Sequence, residues 1–176
     1  MRRLLIAILF LSLVACKEIS FKEPQPKGKK SLSKIPRELL GSYLVVDDVK
    51  RGDSKDTLVV TERGYYVPSD SSKEELGDSL VLKKYKGYYF FNDNEKPEWI
   101  LRVVKREPNG DLSFMLMEPT EKSFNEFLFA LNEEIEIDSI DEDNHTLYQI
   151  DPSPKKLISL IEKGYFKKTI TLKKLK

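Results

Sequence analysis

Two stretches of the chain repeat one pattern. Asp56-Thr57-Leu58-Val59-Val60 leads through Arg63-Gly64 into Tyr65-Tyr66-Val67, and Asp78-Ser79-Leu80-Val81-Leu82 leads through Lys86-Gly87 into Tyr88-Tyr89-Phe90. Each unit is a β-branched and aliphatic run, a short loop ending in glycine, and a second run opening on two tyrosines. Such runs fit a pleated sheet better than a helix, and glycine supplies the positive φ that tight hairpins need. Two units are too few for a solenoid, so the pattern predicts consecutive hairpins of an antiparallel meander, joined by the polar loop Pro68 to Leu76.

The flanking sequence continues in the same manner. Leu39 to Val46 reads as a first strand bounded by Gly41 and by Asp47-Asp48. Trp99 to Lys105 and Leu112 to Met117 flank an Asn109-Gly110 hairpin signal. Phe124, Phe127, Leu128 and Leu131 are spaced i, i+3, i+4, i+7, which predicts a short helix capped near Thr120, although the aromatic density also suits a strand. Ile135 and Ile137 alternate with Glu134, Glu136 and Asp138 as a half-exposed strand, with Thr146 to Ile150 as its partner. Asp151-Pro152-Ser153-Pro154 opens the clearest helix: Ser153 is the N-cap, Pro154 the first helical position, Leu157, Ile158, Leu160 and Ile161 the buried face, and Gly164 the stop. A last strand, Tyr165 to Leu172, precedes the basic end Lys173, Lys174 and Lys176. The fold class expected is therefore mainly β (α+β), an antiparallel meander or lipocalin-like barrel with one C-terminal helix. Gly41-Ser42-Tyr43 is similar to the Gly-x-Tyr near the first strand of lipocalin-like barrels.

Met1 to Cys16 is a different kind of sequence. Arg2 and Arg3 precede Leu4 to Ala15, twelve residues that are apolar apart from Ser12. A helix of that length rises about 18 Å against a hydrocarbon core of about 30 Å. It is too short to remain as a span and has the size of a signal-peptide core. The run ends in Leu13-Val14-Ala15-Cys16, and Cys16 is the only cysteine, so it has no intramolecular disulfide partner. Leu13-Val14-Ala15-Cys16 resembles the lipobox of bacterial lipoprotein precursors. The resemblance implies a diacylglycerol on the Cys16 sulfur, cleavage between Ala15 and Cys16, and acylation of the new amino group. Several acyl chains, at about 0.8 kcal/mol per buried CH₂, give stable anchoring. Lys17, where an Asp would favour inner-membrane retention in the Gram-negative lipoproteins this resembles, implies the outer membrane, on its periplasmic or its cell-surface face. The layout as a whole is similar to that of uncharacterised small β-rich lipoproteins of Gram-negative bacteria.

The expected organisation is thus a signal peptide over residues 1–15, a lipidated, disordered tether over 16–34 and a single β-rich domain over 35–176. Lys17 to Lys34 is rich in lysine and carries Pro24, Pro26 and Gly28, with little apolar surface to offset ordering entropy. It reads as a solvated spacer or as a basic segment lying on anionic headgroups.

The chain carries 30 basic and 29 acidic residues. Without Arg2 and Arg3 the balance is 28 to 29, which argues against a nucleic-acid partner. Among chemistry-bearing residues, His145 is the only histidine and lies in Asp141-Glu142-Asp143-Asn144-His145. This is a turn by its position between two strands, and its spacing is not that of an EF-hand. No phosphate loop, His-Glu-x-x-His, Cys-x-x-Cys or Gly-x-Ser-x-Gly occurs. No catalytic residue, no metal ligand and no cofactor beyond the covalent lipid are expected, and the chain reads as a non-enzyme. Two functions stand: a lipid-anchored interaction or structural module with an envelope protein as partner, or a carrier of a small apolar ligand. A carrier would line its cavity with Tyr65, Tyr88, Phe90 and Trp99; for Trp99 a place in the core or at its rim is the simpler alternative.

Overall fold

The computed structural model describes residues 19–47, 56–69, 73–117, 119, 123–142 and 145–175. Residues 1–15, expected to form a signal peptide, and Cys16, Lys17, Asp48, Thr120, Asp143 and Asn144 lie outside these residues, as does the side chain of His145.

The fold is mainly β. Twelve strands form one open sheet: β1 (Ile19–Phe21), β2 (Gly41–Asp47), β3 (Thr57–Val60), β4 (Gly64–Tyr66), β5 (Lys73–Glu75), β6 (Leu80–Tyr85), β7 (Tyr88–Glu95), β8 (Glu98–Arg106), β9 (Leu112–Leu116), β10 (Asp138–Glu142), β11 (His145–Ile150) and β12 (Lys167–Lys174). Among the described residues, two α-helices, α1 (Phe124–Glu134) and α2 (Pro154–Glu162), and a 3₁₀ turn (Arg37–Leu39) complete it. The expected hairpins β3–β4, β6–β7, β8–β9 and β10–β11 all form, each antiparallel.

The strand order is β10-β11-β1-β8-β9-β12-β2-β3-β4-β5, with β6–β7 attached to the other edge of β8. β8 is the branch point. Nine residues give a strand about 30 Å long, enough for one edge to pair with β7 over its whole length while the other is shared. Trp99 pairs there with Phe21 of β1, and Val103 to Arg106 pair with β9. Because β10 and β5 are unpaired ends, the sheet is open and is not a closed barrel. β1–β11 is parallel, so the sheet is also not a pure meander.

β6 to β9 carry large apolar side chains on both faces, and each face has its own core. Tyr88, Phe90, Trp99, Leu101, Val103 and Met115 face one core, with α1, α2, β1 and Phe166 over them. Leu80, Leu82, Tyr89, Phe91, Val104, Leu112 and Phe114 face the other, with Ile35, Leu39, Tyr43 and Val60 against them. The apolar period of two is lost in runs such as Tyr88 to Phe91 because both faces are dry.

Residues 19–34 are not a tether. Ile19 and Phe21 are buried in the first core, and β1 lies between β11 and β8. Beyond β1 the segment crosses the first face as a strap, fixed by polar groups. Asn92 is buried on the face of Phe90. Its Oδ1 accepts from the Gln25 N–H at 2.6 Å, and its amide nitrogen lies 2.9 Å from the Gln25 carbonyl and 3.1 Å from those of Val81 and Phe90. Lys83 Nζ donates to the carbonyls of Pro24 at 2.6 Å and Pro26 at 3.1 Å. The Leu32 N–H donates to the Leu82 carbonyl. Four of the lysines that suggested a solvated spacer are used within the domain: Lys22 pairs with Asp138, Lys27 with Asp151 and Lys34 with Glu62, and Lys29 stands over the Tyr85 ring. Composition misleads here because the segment buries backbone satisfied by side chains from the sheet, with Ile19 and Phe21 in the first core and Leu32 packed against the second.

Local expectations are corrected elsewhere too. The second loop, expected to run from Lys83 to Gly87, is tighter, with only Lys86 (φ +50°) and Gly87 (φ +84°) between the paired Tyr85 and Tyr88. Positive φ at both central residues marks a type I′ hairpin. Gly64 instead begins β4, and a Cβ there would collide with the Glu74 carbonyl of β5. Its role is close approach of two backbones. The helix expected over 120–131 is α1, shifted to Phe124–Glu134 with Ser123 at its N-cap. Ile135 is the C-cap of α1, and the strand expected at Ile135 and Ile137 begins only at Asp138; both isoleucines pack on the first core from the connection. α2 follows its expected bounds, with Ser153 Oγ accepting from the Lys156 N–H at 3.2 Å. The last strand runs two residues later than expected, Lys167–Lys174.

Phe21→Ala is expected to destabilise the domain by about 3–5 kcal/mol in urea unfolding, the usual cost of emptying a buried phenylalanine site; a tether residue would leave the midpoint unchanged. Asn92→Asp, which places a carboxylate against three carbonyls, is expected to cost about 3–5 kcal/mol and to exceed Asn92→Ala in the same measurement.

Candidate functional site

The four aromatics expected to line a carrier cavity do not share one. Tyr88, Phe90 and Trp99 belong to the first core, where Phe90 is 0% exposed and meets Tyr88 edge to face. Tyr65 lies on the opposite side of the sheet, edge to face with Phe91 in the second core. Strand alternation explains the split: Phe90 and Phe91 are neighbours in sequence and point to opposite faces. Burial pushes the Tyr65 hydroxyl above its ordinary pKa, and the nearby Arg102 opposes the shift. Arg102 itself is ion-paired with Asp93 on the same face.

Among the described residues, an open groove of about 480 Å³ lies between the end of α1 and the turn after α2. Phe127, Ala130 and Tyr165 give it apolar walls, and Glu134, Lys163 and Lys167 a charged rim. The walls are locked together. Tyr165 donates its hydroxyl to the Ala130 carbonyl at 2.9 Å, and its ring meets Phe127 edge to face at 5.7 Å. Glu134 accepts from Lys156 at 2.7 Å and Lys163 at 2.5 Å, and these hydrogen bonds lower its pKa. A carboxylate so engaged is a poor general base. Sequence reasoning did not find the groove, because it depends on how α1 packs beside the turn at Gly164.

A second polar cluster fastens the 3₁₀ turn to the sheet. Tyr89 donates its hydroxyl to Glu38 Oε1 at 2.6 Å, Lys84 Nζ donates to the same oxygen at 3.0 Å, and the Lys84 ammonium stands over the Tyr89 ring. Arg106 adds a bond to the Glu38 carbonyl. The Tyr89 hydroxyl is the main cause that lowers the Glu38 carboxyl to about 2. At the β7–β8 turn, burial raises the Glu95 carboxyl, with the charges of Glu98 and Glu74 adding to the shift.

Among the described residues no group of three or more His, Cys, Asp or Glu is placed to hold a metal ion, and no helix is long and apolar enough to cross a membrane. Comparison with family models, with curated proteins and with solved structures returns no match. The residues with the most specific chemical signal, Ala15 and Cys16, lie just ahead of the first described strand.

Glu38 generates a pH dependence. Its carboxyl is lowered from 4.5 to about 2 in the folded protein. The stability it contributes is therefore complete above about pH 4.5 and is lost as the pH falls towards 2. Denaturation midpoints measured across that window are expected to decline less steeply in Glu38→Gln than in the parent protein.

Proposed function

We propose that the chain is a lipid-anchored envelope lipoprotein whose β domain serves as an interaction or structural module. The observation that carries this reading is the order of features at the amino end: two arginines, a twelve-residue apolar run too short to span a bilayer, and Leu-Val-Ala-Cys containing the only cysteine. Thioether-linked diacylglycerol and an N-acyl chain on Cys16 would anchor the domain, and Lys17 favours the outer membrane. The packing of the domain supports docking over carriage. The aromatics expected to line a ligand cavity are divided between two cores, and an open groove with a charged rim lies between α1 and the turn after α2. An envelope protein is the partner class that fits a module held at that membrane.

Cys16→Ala is the direct test. The parent protein is expected to incorporate labelled palmitate and to sediment with the outer membrane, and the variant is expected to lose both properties. A variant that still incorporates palmitate, or a native protein whose mass shows a free thiol at Cys16, would overturn the reading.

A further inference from the structure

The β7–β8 hairpin closes on a facing pair of like charges. Glu95 and Glu98 are cross-strand partners on either side of Lys96-Pro97, and alternation puts both on the face of Phe91 and Arg102, which is the face of the second core. Glu74 comes to the same region from β5. It is the partner of Tyr65 on β4, whose ring meets that of Phe91 at 6.1 Å between centroids. Partners across a ladder share a face, so Glu74 is turned inward with Tyr65. Like charges facing each other across strands weaken a sheet.

No ion pair offsets this arrangement. All three glutamates are half-buried, and among the described residues none of them has a salt bridge. The nearby cations are engaged elsewhere. Arg102 pairs with Asp93, which lies on the same face two residues before Glu95, while Arg63 and Lys73 pair with Glu75, on the other face of β5 from Glu74. Lys96 in the turn and Asp78 ahead of β6 are exposed. The margin that carries Glu74 is also lightly held. β5 has three residues, ends the strand order and, among the described residues, pairs with β4 alone. Tyr65 and Leu76 pack the margin on the second core, and the Leu76 N–H donates to the Arg63 carbonyl at 2.8 Å.

We propose that Glu74, Glu95 and Glu98 form a proton-operated clasp between the β4–β5 margin and the β7–β8 turn. With all three carboxylates charged, repulsion loosens the margin from the second core. A proton taken up on Glu95 removes the repulsion, and the margin closes. Burial raises the Glu95 carboxyl from 4.5, and the charges of Glu98 and Glu74 add to the shift. The folded state therefore binds this proton more tightly than the unfolded one. The penalty of the charged form is complete at neutral pH and is relieved as the pH falls through the raised value. The sign is opposite to that of Glu38, whose carboxyl is lowered.

In the full chain, the Glu95 carboxyl carbon is titrated by NMR, and amide exchange is followed at Leu76. The Leu157 amide, which donates to the Ser153 carbonyl in α2, is the control, and each rate is divided by its intrinsic value at that pH. In the parent protein Glu95 is expected to titrate above 4.5, and Glu98→Gln and Glu74→Gln are each expected to bring it back towards 4.5. Protection of Leu76 is expected to rise about two- to five-fold from neutral pH to the acid side of the Glu95 midpoint, the scale of a cross-strand pair, while Leu157 stays level. In Glu95→Gln, Leu76 is expected to be protected at neutral pH as it is in the acidified parent. A Glu95 midpoint at or below 4.5 overturns the clasp, as does a midpoint that neither glutamine substitution moves. A Leu76 protection that follows Leu157, or whose pH dependence persists in Glu95→Gln, overturns it equally.

Discussion

A sheet whose middle strands are apolar on both faces has to be covered twice. β6 to β9 impose that condition, and the remaining elements answer it. The two α-helices, β1 and Phe166 close one face, while the 3₁₀ turn with Ile35, Tyr43 and Val60 closes the other. The row Lys83, Phe90, Val103 and Met115 runs across four strands on the first face, and Lys83 is its one charged member. Burial lowers the pKa of that lysine, and the carbonyls of Pro24 and Pro26 accept its protons in place of water. A buried ammonium without such acceptors would be costly. The strap over residues 22–32 and the sheet beneath it thus complete each other's hydrogen bonding.

How much of this was legible depended on the range of the interaction. Hairpins and helix ends are local, so the paired tyrosines, Asn109-Gly110 and Ser153-Pro154 announced β3–β4, β6–β7, β8–β9 and the start of α2. The strap was not legible. Its signal is a set of side chains some sixty residues away, Lys83 and Asn92, that satisfy the backbone at Pro24, Gln25 and Pro26. Read alone, the same stretch is lysine and proline. Gly64 was misjudged as a turn residue because a glycine needed for close approach looks identical in sequence to one needed for positive φ. The ligand aromatics failed for a related reason. Tyr65, Tyr88, Phe90 and Trp99 were grouped by chemical type, and strand alternation together with sheet order assigns Tyr65 to a different face from the other three. The expected Ala15–Cys16 site rests on a linear pattern alone and lies outside the described residues.

The structure alters what the amino-terminal segment can mean for function. A spacer would let a domain range over a distance set by its length. Here the charges and prolines that suggest a spacer are spent on internal contacts, from Lys22–Asp138 to Lys34–Glu62. If Cys16 carries a lipid, as proposed, little free chain is left between the anchor and the buried Ile19.

The place of β12 carries a consequence for how the molecule is assembled. Residues 167–174 lie between β9 and β2 and, among the described residues, are the one bridge in strand order between the β2–β5 half of the sheet and the rest. β1, at the other extreme of the numbering, is likewise an interior strand. Contacts of such sequence separation are slow to form. A chain emerging amino end first can fold its hairpins as they appear, but the two halves cannot be joined until the residues after Phe166 have emerged. Closure of the whole sheet therefore follows formation of its hairpins and waits on residues 167–174, which pair with both halves.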